Sequence, residues 1–145
     1  MYHYQSCGLN TIYLVNGYHE IETPYGKAVS IDDVEGLDRA IAHSLITYKA
    51  RITGSEFRFL RKYLGLSQAK LALLLGNNEQ AIALWEKKSN IPQWATNMLR
   101  KLVSEHLGDN KTLMEIINHF NNLDKIEYDE FMRFEDLNNQ WKIAA

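Results

Sequence analysis

Two glycines, Gly65 and Gly76, cut the segment from Thr53 to Pro92, TGSEFRFLRKYLGLSQAKLALLLGNNEQAIALWEKKSNIP, into three short helices. A glycine just past an apolar helical run takes the left-handed backbone that ends a helix, a conformation a β-carbon opposes. Each helix also has a legible start. Thr53 followed by Glu56 fits a capping box, after which Phe57, Leu60 and Leu64 recur at helical spacing. Ser67 caps a second helix, Gln68 to Leu75, with Leu71, Ala72 and Leu75 turned inward. Asn78 caps a third, Glu79 to about Lys87, which buries Ile82 and Trp85 and leaves Glu79, Gln80, Ala83 and Leu84 largely outward.

Two short helices joined by a tight glycine turn leave the second free to lie in a major groove of DNA. The run LRKYLGLSQAKLALLLGNNEQAIALWEKKSNIP resembles the Xre/Cro family of helix-turn-helix regulators, whose pattern is LRxxxGLSQxxLAxxLGxxxxxIxxWExxxxxP. That resemblance implies a helical bundle in which Gln68 meets a phosphate and Glu79, Gln80, Ala83 and Leu84 face the bases. Gln80 has the chemistry of a reader, since an amide can bond adenine N6 and N7 together. Glu79 could accept from cytosine N4, and Leu84 or Ala83 could touch a thymine methyl. The exposed face between Asn78 and Trp85 carries no Arg or Lys, which removes the commonest guanine contact.

Charge separates affinity from specificity. Residues 51–90 hold seven Lys or Arg (Arg51, Arg58, Arg61, Lys62, Lys70, Lys87, Lys88) against Glu56, Glu79 and Glu86, a local net of +4 in a chain of net −2. A basic module in an otherwise acidic chain is the distribution a phosphate backbone requires, with Arg58, Lys70, Lys87 and Lys88 as phosphate contacts beside Gln68. The plainer alternative is an ordinary solvated helical surface.

The chain has 145 residues, 46% hydrophobic and 23% charged, enough for one domain or two small ones. Its longest apolar runs fall short of a membrane span, and MYHYQSCGLN lacks the basic start and apolar core of a signal peptide. A cytoplasmic protein without a membrane partner is the expectation. Cys7 is the single cysteine and cannot form an internal disulfide, in keeping with a reducing compartment.

Three segments emerge. In residues 1–50, Thr11 to Val15 alternates as a strand, Asn16-Gly17 reads as a turn, and Tyr18 to Glu22 continues extended, so a hairpin is expected. TPYGKAVSI adds a Pro-Tyr-Gly turn and a strand. Asp32 or Ser30 then caps a helix striped by Val34, Leu37, Ile41 and Leu45, and residues 47–53 link onward. Residues 51–108 hold the three capped helices and a further helix, Gln93 to His106, with Trp94, Met98, Leu99 and Leu102 on its covered side and Gly108 at its end. In residues 109–145, Asp109 caps a last helix bearing Leu113, Ile116, Ile117 and Phe120, which Asn121-Asn122 ends. Core packing and a dimer seam are both open for these two helices. Phe131, Phe134, Trp141 and Ile143 flank Asp-Leu-Asn-Asn in the pattern of a carboxy-terminal hairpin. An isolated hairpin is marginal in water, so its aromatics are expected to dock on the amino-terminal sheet, on the helical bundle or on another subunit; docking within a dimer is favoured, with a disordered tail as the alternative. The fold class is α+β, mainly α.

The amino-terminal layout also resembles regulators related to MqsA-type antitoxins, in which paired Cys-x-x-Cys motifs bind structural zinc. Those pairs are missing here. Cys7 with His3, His19 and His43 does not form two close-spaced ligand pairs, so no metal and no cofactor are expected. Cys7 reads as a small buried apolar residue and His3 as a surface or hydrogen-bonded one. Cys7, Ser6 and His3 lack a positioned acid or an oxyanion loop, so no enzyme is expected either. Asp32-Asp33 is explained by capping, and Glu127, Asp129, Glu130, Glu135 and Asp136 by a solvated surface. The expected function is a DNA-binding transcriptional regulator, a homodimer repressing at a pseudo-palindromic operator. The alternative is an antitoxin that neutralises a toxin protein and autoregulates its operon.

Overall fold

Six helices and two small sheets make up the described part of this computed structural model, which covers residues 1–109, 111–122 and 131–144 without the side chains of residues 120–122. The chain is α+β. It divides into two units, Met1–Ile41 with Asp129–Ala145, and Ala42–Tyr128.

The first unit opens with strands β1 (Tyr2–Tyr4), β2 (Ile12–Leu14), β3 (Tyr18–Thr23) and β4 (Gly26–Ile31), then enters helix α1 (Val34–Tyr48). The chain returns later with β5 (Met132–Leu137) and β6 (Gln140–Ile143). The larger sheet runs β1-β2-β5-β6, with β2 and β5 parallel and the other pairs antiparallel. Alternation along these short strands puts Tyr4, Ile12, Leu14, Phe134 and Trp141 in the core, joined there by Leu9, Leu37 and Ile41.

The expected hairpin across Asn16-Gly17 does not form. Both edges of β2 are already taken, by β1 and by β5, so β3 pairs with β4 around Pro24-Tyr25 in a separate two-stranded sheet. Asn16 instead exchanges two hydrogen bonds with the Asp136 backbone, donating to its carbonyl at 3.1 Å and accepting from its amide at 2.6 Å. Gly17, at φ +76°, lies against the Trp141 ring, where a β-carbon would overlap the indole. Asp136 therefore departs from the solvated-surface expectation, and Glu127, Asp129 and Glu130 lie outside the described residues.

Asp33, rather than Asp32 or Ser30, caps α1. Its carboxylate accepts from the Gly36 amide at 3.1 Å and its carbonyl from Leu37 at 3.0 Å, at a φ of 48° that Asp tolerates better than most residues. Asp32 is occupied elsewhere: its carbonyl accepts the Trp141 indole N–H at 2.9 Å and its carboxylate faces His19 at 3.2 Å. Val34, the first residue of α1, is exposed rather than part of the buried stripe, whereas Leu37, Ile41 and Leu45 are fully buried. The carboxy-terminal hairpin turns at Asn138-Asn139, both at positive φ, the two-residue geometry that matches strand twist. It docks on the amino-terminal sheet, the first of the supports expected for it, with β5 pairing parallel to β2.

Tyr4 donates to Asp38 at 3.1 Å, tying β1 to α1. Burial raises the Asp38 carboxyl above the usual carboxylate range, and the Tyr4 hydrogen bond offsets part of that rise. Its raised pKa gives a contribution complete below the ordinary carboxylate pKa of about 4 and lost as pH climbs through the raised value. Asp38→Asn should therefore remove a decline in stability between about pH 4 and that point while keeping an acceptor for Tyr4, as urea midpoints against pH will show.

The second unit continues α1 from Ala42 and adds α2 (Gly54–Tyr63), α3 (Gln68–Leu74), α4 (Glu79–Lys88), α5 (Gln93–His106) and α6 (Leu113–Asn122). Its starts and stops follow the sequence closely. Thr53 and Glu56 form the reciprocal capping box, Ser67 caps α3 and Asn78 caps α4, while Gly65 and Gly76 sit at φ +73° and +66°. Asp109 does not cap α6; its amide closes the carboxy end of α5 on the Ser104 carbonyl at 2.9 Å, and Thr112 with Glu115 forms the α6 box. The buried face of α5 is also displaced from the expected one. Ala95, Thr96, Leu99, Arg100 and Val103 are inside, whereas Trp94 stays 46% exposed, edge-on to Trp85 at 5.9 Å.

Arg100 explains that displacement. It is fully buried, and its guanidinium donates to the carbonyls of Leu45, Ile46, Lys49 and Ala50, the last at 3.0 Å. Leu45 and Ile46 lie in the last turn of α1, where helix geometry leaves carbonyls without intrahelical partners and the macrodipole is negative, and Lys49 and Ala50 follow directly. Arg100→Met should lower stability by about 3 kcal/mol, seen as a lower urea midpoint at unchanged slope. Arg100→Lys should recover only part of that, since one ammonium does not reproduce the guanidinium fork.

Candidate nucleic-acid interface

Arg61 lies at the i+4 position from Phe57 on the apolar stripe of α2, and Glu86 at i+4 from Ile82 on α4. Charged groups on buried stripes must find each other. Here they do, through a two-point pair in which Arg61 Nε and Nη2 donate to the two Glu86 oxygens at 2.8 and 3.0 Å. Side-chain exposure is 8% and 5%, so solvent screens this pair little. Arg61 also donates to the Leu66 carbonyl at 2.9 Å, and Gln68 donates its amide to Glu86 at 3.1 Å. One carboxylate thus links α2, the start of α3 and α4, and the guanidinium it holds also ties in the turn after α2.

The carboxy end of α4 is held as closely. Ser89 takes a left-handed φ of 57° and its hydroxyl accepts from the Gly54 amide at 2.8 Å. A β-carbon on Gly54 would overlap the Glu86 carbonyl, so glycine is what lets α2 begin against the end of α4. Phe57 meets Trp85 edge-on at 6.1 Å beneath these contacts.

With α4 fixed, its outer side is defined. Glu79, Gln80 and Leu84 are exposed, Leu84 by 50%, and Ala83 is half-buried. Arg58, Gln68, Glu79, Ala83 and Lys87 line one open groove with Ser55, whereas Gln80, Leu84, Lys70 and Lys88 lie outside it. Gln68 holds a dual position: half-buried, it lines the groove while its amide N–H is engaged by Glu86. The neighbouring charge is more one-sided than composition implies. Arg61 and Glu86 neutralise each other inside, and Glu56 is buried against Lys49. What reaches solvent from residues 51–90 is Arg51, Arg58, Lys62, Lys70, Lys87 and Lys88, against Glu79 as the one exposed acid.

Elsewhere, His3 contacts the Asn10 carbonyl at 2.6 Å and stacks on Tyr13 at 4.5 Å, while Cys7 is half-buried with its thiol pKa raised by burial. Among the described residues no group of three or more His, Cys, Asp or Glu could hold a metal ion, and no helix is long and apolar enough to cross a membrane. No family model, curated protein or solved structure matches the chain.

Removing one member of the internal pair leaves the other charge buried alone. Glu86→Ala should cost about 3–5 kcal/mol in urea unfolding, and the double change Arg61→Met with Glu86→Leu should restore most of it.

Proposed function

We propose that the second unit binds double-stranded DNA as a transcriptional regulator, laying the exposed side of α4 into the major groove. The observation that carries this reading is electrostatic: six exposed cations and one exposed acid within residues 51–90, with Arg58 and Lys87 on the groove beside a helix whose back is held by a buried ion pair. Phosphate neutralisation supplies sequence-independent affinity, and a rigid helix can present base-reading side chains in fixed register. The likeness of residues 60–92 to the Xre/Cro pattern supports the same reading.

Roles divide between two sets of side chains. Arg58 and Lys87, on the groove beside α4, and Lys70 and Lys88, exposed on α3 and α4, are the phosphate set. Gln80 is the principal base reader, because its exposed amide has no hydrogen-bond partner among the described residues, whereas that of Gln68 is held by Glu86. Repression follows if the bound site overlaps a promoter, and a twofold pair of chains would match a pseudo-palindromic operator.

The test is selection of bound sequences from random duplex DNA, followed by titrations at several salt concentrations. Gln80→Ala should lose discrimination at one or two base positions, about 1–3 kcal/mol each. Lys87→Ala should weaken all duplexes alike and reduce the salt slope by about 1. Absence of DNA binding at low salt would overturn the reading, and an unchanged base preference in Gln80→Ala would overturn the assignment of Gln80.

A further inference from the structure

The two-stranded sheet of β3 and β4 pairs with no other described strand. Nearly all of its residues are exposed: Ile21 by 51%, and Tyr25 at the tip completely. Two-stranded sheets of this kind are marginal in water by themselves, and each has two open edges whose N–H and C=O groups invite another strand. The edges of β3 and β4 differ in chemistry. β3 reads YHEIET, with Glu20 and Glu22 on one side of the strand, whereas β4 reads GKAVSI and carries Lys27 as its single charge.

That difference determines which edge can meet its own copy. A symmetric antiparallel pair places a central residue opposite itself and its neighbours opposite each other in reverse order. Centring β3 on Glu20, Ile21 or Glu22 therefore sets two glutamates face to face, a destabilising arrangement. Centring β4 on Ala28 puts Lys27 opposite Val29, and centring it on Val29 puts Lys27 opposite Ile31, with no like charges opposed. Within its own sheet Lys27 is already paired across from Glu22. Beyond Lys27 at its start, β4 carries no charge and no proline, and Ala28, Val29, Ser30 and Ile31 leave that stretch of edge without a blunting device.

We infer that the outer edge of β4 is a self-association surface, pairing antiparallel with β4 of a second copy to join two hairpins into one four-stranded sheet. The glutamates of β3 then guard the outer edges and stop growth at two chains. Main-chain hydrogen bonds across the seam supply the association and Tyr25 stays free at each end. This inference concerns the first unit and stands independently of the DNA reading.

Sedimentation equilibrium of the full chain should give twice the 16.8 kDa of one chain. Ala28→Glu with Ser30→Glu, which puts like charges across the seam, should raise the dissociation constant at least tenfold, with circular dichroism unchanged. In a Cys7→Ser background, single cysteines at Ala28, Val29 and Ser30 should include one that cross-links into dimers on mild oxidation, while one at Glu20 should not. A monomeric wild-type chain, a dimer unaffected by the two glutamates, or cross-linking through Glu20→Cys in preference to β4 would overturn the inference. Because the cross-link needs only one small substitution at a time, a misfolded double variant leaves the question answerable.

Discussion

The candidate interface depends on one buried ion pair. Glu86 accepts from two nitrogens of Arg61 and from the amide of Gln68, so α2, α3 and α4 converge on a single carboxylate. Such a pair adds little net stability compared with well-packed apolar residues, because desolvating two charges consumes much of their attraction. What it adds is register. An apolar contact tolerates sliding, whereas a two-point guanidinium–carboxylate pair with a third donor is satisfied in one arrangement of α2, α3 and α4.

A second internal cation does comparable work from α5. The guanidinium of Arg100 reaches four backbone carbonyls, two in the last turn of α1 that the helix cannot satisfy from within and two in the segment that follows it. Both arginines lie at helical spacing from apolar residues, so their burial is consistent with the stripes they interrupt. They also change how the charge of the segment should be counted. Arg61 with Glu86, and Lys49 with Glu56, take part in internal bonding, and the surface that remains is more strongly positive than the composition.

Where the chain carries local punctuation, its reading and its structure coincide. The capping box at Thr53, the caps at Ser67 and Asn78, and the left-handed glycines at 65 and 76 are decided within a few residues, by hydrogen bonds and steric limits that act along the chain. The Asn138-Asn139 turn belongs with them. Where an outcome depends on a distant partner, local pattern misleads. β2 alternates like half a hairpin, yet its edges go to β1 and to a strand that begins at Met132, so Asn16-Gly17 crosses between sheets. Asp32 resembles a cap, yet Trp141 and His19 occupy it and Asp33 takes the role.

The sequence by itself determined the helix boundaries of residues 53–92, the outward set Glu79, Gln80 and Leu84, and the α+β class, because these rest on periodicity and on caps a few residues long. Only the tertiary structure decided which charges are spent inside, that Gln68 is held by Glu86, that Gly54 admits the end of α4, and that β3 and β4 stand as their own sheet. The physical reason is the same in each case. Burial and strand pairing are settled by residues far along the chain competing for the same partners, and a one-dimensional pattern holds no record of who wins.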